Sequence, residues 1–130
     1  MRDILIVDDS RAMRNFLRRA LSMTSLEIGT VYEAENGLEA LGVLDEHDVE
    51  VIFSDINMPV MDGAVFVGEL AKSETRRHIP VVVVSTDSST ERKAQMAALG
   101  AKGYIAKPFS PESLEQEVTR LLWEASDDIN

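Results

Sequence analysis

Five side chains in this sequence are of the types that hold a divalent cation and a phosphoryl group. Asp8 and Asp9 are adjacent, Asp55 stands alone, and Ser85 and Lys107 come later in the chain. The chain contains no cysteine, so no thiolate is available as a metal ligand. Carboxylate oxygens favour a hard cation, and magnesium is the ion we expect. A carboxylate, a cation, an ammonium group and a hydroxyl around one small space suit a phosphoryl group, with Asp55 as the nucleophile.

Each of these side chains lies at or just after the end of a short apolar run. The continuous runs Ile4–Val7, Val51–Phe53 and Val81–Val84 are rich in β-branched residues and predict strands that are buried on both faces. Gly29–Ala34 and Gly103–Ala106 contain polar residues or glycine and predict strands at the edges of the sheet.

Helical segments separate the predicted strands. Each begins at a residue that can cap a helix N-terminus, and these residues are Ser10, Asn36, Asp62, Ser88 or Ser89, and Ser110. Strict alternation of strand and helix predicts a (βα)5 α/β fold, a doubly wound parallel sheet of the flavodoxin-like type with strand order 2-1-3-4-5. Because right-handed crossovers bring the carboxyl ends of all the strands to one edge, we expect the five side chains to meet there.

Length and charge narrow the class of protein. The chain has 130 residues, the length of one compact domain, which we assign to residues 1–124 with a short flexible tail over residues 125–130. With 13 basic and 23 acidic residues, the net charge of −10 disfavours nucleic acid and anionic membranes as partners. The sequence shows no apolar run long enough to span a membrane and no secretory pattern, so we expect a cytoplasmic protein. We also expect it to be a monomer.

The motifs around these residues resemble the receiver domain of two-component response regulators. The resemblance rests on Val7-Asp8-Asp9-Ser10, on Asp55-Ile56-Asn57-Met58-Pro59 with Met61-Asp62-Gly63, on Ser85-Thr86 and on Lys107-Pro108-Phe109. These motifs occur in order at the ends of the predicted strands, and the resemblance covers residues 3 to 122.

The resemblance implies that Asp55 accepts a phosphoryl group from the phosphohistidine of a sensor histidine kinase or of its phosphotransfer domain. The cofactor would be Mg²⁺, bound by Asp9, Asp55 and the backbone carbonyl of Asn57, with Asp8 contributing largely through water. Such a chain is a signalling module that phosphorylates and dephosphorylates itself, and not an enzyme with substrate turnover.

Other positions also match the family. Ser85 stands where threonine is more usual, and together with Lys107 it would bind the phosphoryl oxygens. Tyr104 matches the aromatic residue that swings inward when the hydroxyl residue moves, so Ser85 and Tyr104 would form the conformational switch. Asn57 and Asp87 occupy the variable positions that tune how fast the aspartyl phosphate hydrolyses.

The resemblance places the output on the face of the fourth helix, fifth strand and fifth helix, which would contact a downstream protein. We expect a chemotaxis-type regulator that binds the flagellar motor switch. A phosphorelay intermediate that passes the phosphoryl group to a second histidine, and a receiver from a larger DNA-binding regulator, are alternatives within the family.

Two alternatives come from other classes. A phosphatase of the haloacid-dehalogenase type also uses a strand-end aspartate and magnesium, but its nucleophile follows the first strand. A flavodoxin-like binder would need hydroxyl groups or glycine amides after the first strand to donate hydrogen bonds to the phosphate of its ligand. Asp8 and Asp9 stand there instead and would repel that phosphate.

Three arginines of the first helix also form a pattern. Arg11, Arg14 and Arg18 recur at helical spacing opposite the apolar residues, so we expect them on a solvated face.

Overall fold

Parallel strands and helices alternate along the chain. The computed structural model describes the backbone of residues 2–129 and the side chains of residues 2–122. Within these residues the strands are β1 (Arg2–Val7), β2 (Ile28–Ala34), β3 (Val51–Ser54), β4 (Val81–Ser85) and β5 (Gly103–Ala106). The helices are α1 (Arg11–Ser22), α2 (Gly37–Glu46), α3 (Gly63–Lys72), α4 (Thr90–Leu99) and α5 (Pro111–Ile129). All strand pairs are parallel, and the order β2-β1-β3-β4-β5 confirms the predicted doubly wound fold.

The helices begin where the sequence predicts them to begin. In each helix a side-chain oxygen accepts a hydrogen bond from the amide three residues further on, and the capping residues are Ser10, Asn36, Asp62, Ser89 and Ser110. Gly100 ends α4 with a φ of 123°, a conformation that side chains with a Cβ rarely adopt. Local capping therefore sets the helix boundaries next to the strand ends.

Alternate residues of the central strands face two apolar layers. Ile4 and Ile6 of β1 pack with α1 and α5, whereas Leu5 and Val7 pack with α2, α3 and α4. These side chains are fully buried, as expected for a parallel sheet with helices on both faces. The two layers make the sheet a rigid support for the loops that follow the strands.

The register of the strands aligns their carboxyl ends. Val7 pairs with Ser54, Ser54 pairs with Val83, and Ser85 pairs with Ala106. The loops after β1, β3, β4 and β5 therefore leave the sheet from one edge, which confirms the predicted placement of the strand ends.

The last helix is longer than the apolar pattern indicates. Helix α5 continues through residues 125–129, the segment expected to be a short flexible tail, and residue 130 lies outside the described residues. The domain boundary after residue 124 stays a prediction. Of the helices that the structure describes, none combines the length and the hydropathy needed to cross a bilayer.

Candidate functional site

Three acidic side chains come together at the carboxyl ends of β1 and β3. One carboxylate oxygen from each of Asp8, Asp9 and Asp55 lies within 4.8 Å of the other two, and we call this group the carboxylate cluster. Asp8 is only 2 % exposed, Asp55 is partly buried and Asp9 is exposed. Backbone amides orient the carboxylates of Asp8 and Asp55, since Asp8 Oδ1 accepts from Ser10 N and Asp55 Oδ1 accepts from Ile56 N, both at 2.8 Å.

Lys107 reaches the carboxylate cluster from the loop after β5. Its Nζ lies 3.5 Å from Asp8 Oδ2 and 3.9 Å from Asp55 Oδ1. The Lys107 amide donates to the Ser85 carbonyl at 2.8 Å, so the ends of β4 and β5 lie side by side. Ser85 is 3 % exposed, and the peptide bond that follows Lys107 is cis. The structure thus brings one cation and one hydroxyl residue to the edge that carries the acids.

The carboxylate cluster carries excess negative charge. Burial raises the pKa of the Asp55 carboxyl, the nearby Lys107 ammonium lowers it, and the charges of Asp8 and Asp9 raise it, with a net upward shift. Asp8 Oδ2 is buried and accepts no hydrogen bond within the described residues. A small hard cation would offset the charge and could be coordinated by Asp8 Oδ2, so this donor set fits Mg²⁺.

The loop that carries Asp55 approaches α3 closely at Gly63. The Gly63 amide donates to the Ile56 carbonyl at 2.7 Å. A Cβ atom at this position would lie 2.2 Å from the Asp55 carbonyl oxygen. Only glycine allows this approach, so Gly63 lets the main chain of Asp55 lie against the start of α3.

Comparison with known proteins identifies the family. The sequence model of the response regulator receiver domain matches residues 4–119. The chain belongs to this family. It is 32 % identical over 118 residues to the chemotaxis protein CheY-3 of Vibrio cholerae, covering 91 % of this chain and 89 % of the relative. It is 36 % identical over 122 residues to the chemotaxis protein CheY of Halobacterium salinarum, covering 93 % and 97 %.

Solved structures of receiver domains show the same architecture. The chemotaxis response regulator CheY4 of Vibrio cholerae aligns with a TM-score of 0.81 at 35 % identity, covering 93 % of this chain and 98 % of that chain. The receiver domain of a signal transduction histidine kinase from Syntrophus aciditrophicus aligns with a TM-score of 0.82 at 31 % identity, covering 95 % and 92 %. Receiver domains are signalling modules that bind Mg²⁺ and interact with histidine kinases and downstream targets.

In this receiver domain a chain of hydrogen bonds links Ser85 to Tyr104. The Asp87 amide donates to Ser85 Oγ at 3.1 Å, and the Tyr104 hydroxyl donates to the Asp87 carbonyl. The ammonium of Lys93 lies 5.9 Å from the centre of the Tyr104 ring. Hydrogen bonds from the amide and hydroxyl of Ser89 lower the pKa of the exposed Asp87 carboxyl. The family resemblance implies that Ser85 and Tyr104 act together, and the structure adds that the main chain of Asp87 links them.

The loop between β3 and α3 combines a buried anchor with exposed residues. Asn57 is exposed two residues after Asp55, and Met58 is buried in the core. The Met61 amide donates to the Pro59 carbonyl at 2.7 Å across Val60, whose φ is 68°. A positive φ is strained for a β-branched residue, and this one is 78 % exposed.

The expectation that Arg14 lies on a solvated face is wrong. Arg14 is 8 % exposed, and its Nε donates to Glu33 Oε1 at 2.8 Å. Arg18 donates to the other oxygen of Glu33 at 2.6 Å, and we call these three residues the arginine–glutamate cluster. Burial opposes the charge of Glu33, but hydrogen bonds from Arg18 and Arg14 outweigh it and lower the pKa of the Glu33 carboxyl. Arg11 and Arg18 are exposed as expected.

A signal for this pairing exists in the sequence. Glu33 is a single acid near the end of an otherwise mostly apolar strand, so its charge needs a cation. Helical spacing does not show which arginine of α1 faces β2, because Arg14 and Glu33 are 19 residues apart.

Proposed function

We propose that this receiver domain accepts a phosphoryl group on Asp55 from the phosphohistidine of a histidine kinase and reports the added charge to a downstream protein. The observation that carries this proposal is the surroundings of one carboxylate. Asp55 lies within 4.8 Å of oxygens from Asp8 and Asp9 and 3.9 Å from the ammonium of Lys107. A nucleophilic oxygen, cation ligands and a positive charge thus share one small space at the end of a central strand.

The proposed transfer is a displacement at phosphorus. An Asp55 oxygen forms the new O–P bond while the P–N bond to the donor imidazole breaks, and the imidazole keeps the electron pair. Lys107 would stabilise the phosphoryl oxygens by charge, and the Ser85 hydroxyl would donate a hydrogen bond to one of them. When bound, Mg²⁺ would neutralise further phosphoryl charge. Its ligands would be the carboxylates of Asp8, Asp9 and Asp55 and the backbone carbonyl of Asn57.

The proposed switch uses the hydrogen bonds that link Ser85 to Tyr104. If Ser85 moves toward a phosphoryl group on Asp55, the Asp87 amide that donates to its hydroxyl moves as well. The Asp87 carbonyl accepts the hydrogen bond of Tyr104, so the change reaches the face of α4, β5 and α5. Asn57 and Asp87 are exposed and polar, which supports their proposed role in tuning hydrolysis of the aspartyl phosphate.

We infer a chemotaxis-type output, through contact of the face of α4, β5 and α5 with a protein such as the flagellar motor switch. Support comes from relatives named as chemotaxis proteins, 89 % and 97 % of whose lengths are covered. The proposed setting is the cytoplasm, with the domain acting as a monomer that turns over no substrate. The likeness to the receiver of a Syntrophus aciditrophicus histidine kinase supports the second candidate, a phosphorelay intermediate.

A direct test is incubation with acetyl phosphate and Mg²⁺ followed by mass spectrometry of the intact and digested protein. We expect one labile phosphoryl adduct on Asp55, absent after Asp55→Asn and absent when a chelator removes the metal. Asp48→Asn is the matched control, because Asp48 is exposed and outside the carboxylate cluster.

No adduct, or an adduct on another residue, would contradict the proposal. Continuous release of phosphate from many phosphate esters would instead support the phosphatase. Transfer of the group from Asp55 to a histidine phosphotransfer domain would favour the relay role over the chemotaxis role.

A further inference from the structure

We propose that Arg14 is a positioning residue for the cation site and acts through the main chain of Asp8. This inference rests on the proposed function, because the role requires the carboxylate cluster to bind Mg²⁺. Arg14 Nη1 donates to the backbone carbonyl of Asp8 at 2.7 Å, and this contact is buried. The guanidinium therefore holds the peptide group that joins Asp8 to Asp9.

The main chain of Asp8 is held from both sides. Its amide donates to the Ala34 carbonyl of β2 at 3.0 Å, and its carbonyl accepts from Arg14. Asp8 Oδ1 accepts from the Ser10 amide, which leaves Oδ2 directed to the cluster without a hydrogen bond. Because the chain turns from β1 into α1 here, the orientation of this peptide group decides where the Asp9 carboxylate lies.

Arg14 is itself anchored by β2. Its Nε donates to Glu33 while its Nη1 donates to Asp8, so a single guanidinium bridges β2 and the end of β1 from α1. The planar, forked guanidinium can hold two acceptors in fixed directions, whereas the single ammonium of a lysine cannot reproduce both contacts. Arg18 shares the Glu33 partner, but its other contact is the Val31 carbonyl, away from the carboxylate cluster.

The affinity for Mg²⁺ depends on where the carboxylate ligands lie. The ion requires near-octahedral coordination at short distances, so small displacements of carboxylate ligands weaken binding. Residues that orient the ligands of a metal typically change its affinity by about 10- to 100-fold when they are replaced. A buried arginine that fixes the peptide between two ligands is well placed to have an effect of this kind.

The test compares Arg14→Lys with Arg18→Lys by calorimetric titration of Mg²⁺. Both substitutions keep the charge, lie on the same helix and share the Glu33 partner, but only Arg14 contacts Asp8. At a temperature where circular dichroism shows each protein to be folded, we expect Arg14→Lys to raise the Mg²⁺ Kd about tenfold. Arg18→Lys should change it by less than about twofold.

A second readout uses the metal-free protein. In chelator, amide hydrogen exchange at Ser10 should accelerate in Arg14→Lys and stay unchanged in Arg18→Lys, because the Ser10 amide donates to Asp8 Oδ1. If Arg14→Lys does not fold, Glu33→Gln takes its place, since it removes the anchor of Arg14 and should raise the Kd in the same direction.

The outcomes separate this inference from the proposed function. If wild-type protein binds no Mg²⁺ and forms no Asp55 adduct, the proposed function fails. If wild type binds Mg²⁺ and the Arg14 variant binds it equally well while melting at a lower temperature, Arg14 is merely structural and the positioning role is overturned.

Discussion

Two charged clusters lie near one another at the carboxyl edge of the sheet and are built in opposite ways. In the carboxylate cluster, three acids have one lysine nearby, at 3.5 Å and 3.9 Å from two of them. In the arginine–glutamate cluster, one acid lies between two guanidinium groups at 2.8 Å and 2.6 Å. Burial opposes charge in both, yet the pKa of Asp55 is raised and the pKa of Glu33 is lowered.

The difference separates charge that supports the fold from charge that is available to a ligand. In the arginine–glutamate cluster each oxygen of Glu33 accepts a hydrogen bond from a guanidinium group, so the ionised form of Glu33 stabilises the folded state. The carboxylate cluster has excess negative charge and, within the described residues, a buried Asp8 oxygen that accepts no hydrogen bond. Ionised Asp55 therefore destabilises the folded state when no cation is bound. The two meet at Asp8, whose side chain belongs to one and whose carbonyl is held by the other.

The largest expected effect comes from removing the buried arginine. Arg14→Ala removes the buried donor that Glu33 Oε1 and the Asp8 carbonyl share, so we expect a loss of about 3 kcal/mol in the free energy of unfolding, measured in urea. Arg18→Ala is the matched control and should cost about 1 kcal/mol or less, because Arg18 is exposed. Equal losses in the two variants would remove the contrast between a buried and an exposed partner of Glu33.

The next largest effect is a gain in stability, because it comes from removing a charge of the carboxylate cluster. Asp8→Asn removes one of three like charges, so in chelator it should raise the free energy of unfolding by about 1 kcal/mol. At a Mg²⁺ concentration about a hundredfold above its Kd, wild type should gain about 2.7 kcal/mol and the variant clearly less. A variant that is less stable than wild type in chelator would show that repulsion does not dominate the cluster.

The dependence of stability on pH should differ in sign between the clusters. The pKa of Asp55 in the folded state lies above its ordinary 3.8, so the ionised carboxyl destabilises the folded state at neutral pH. This destabilisation disappears as pH falls through the raised pKa toward 3.8. The folded pKa of Glu33 lies below its ordinary 4.5, so its stabilisation is present above 4.5 and is lost as pH falls through the lowered value.

Urea unfolding of metal-free protein from neutral to acid pH measures both effects. Asp55→Asn should have a higher free energy of unfolding than wild type at neutral pH, and this difference should shrink as the solution becomes acidic. Glu33→Gln should have a lower free energy of unfolding than wild type, and this difference should shrink at a still lower pH. Parallel curves for wild type and both variants would mean that neither carboxyl has a shifted pKa.

The smallest expected effect concerns the backbone of the loop between β3 and α3. Val60 has a positive φ, and Asn adopts that conformation more readily than a β-branched residue does. Val60→Asn should therefore raise the free energy of unfolding by about 1 kcal/mol or less. Leu38→Asn, at an exposed position within α2, should give no gain, and a similar gain there would point to lost surface hydrophobicity instead of relieved strain.

The predicted strand ends and helix caps agree with the structure because they depend on local patterns. Short β-branched runs such as Ile4–Val7 favour central strands, and Ser10 and Asp62 each cap the helix that begins at the next residue. The placement of Asp8 and Asp55 at one edge follows from these elements and from the handedness of the crossovers. Arg14 was misplaced because its environment depends on Glu33, which belongs to another element.

The sequence by itself determined the alternation of strands and helices, the acids at the strand ends and therefore the chemistry available at one edge of the sheet. Periodicity and capping act over a few residues, so they can be read without knowing the rest of the fold. Only the tertiary structure decided that Arg14 is buried, that Tyr104 bonds to the loop after β4, and that no described group donates a hydrogen bond to Asp8 Oδ2. Solvation and pairing of a polar group depend on atoms that are distant in the chain, and packing alone brings those atoms together.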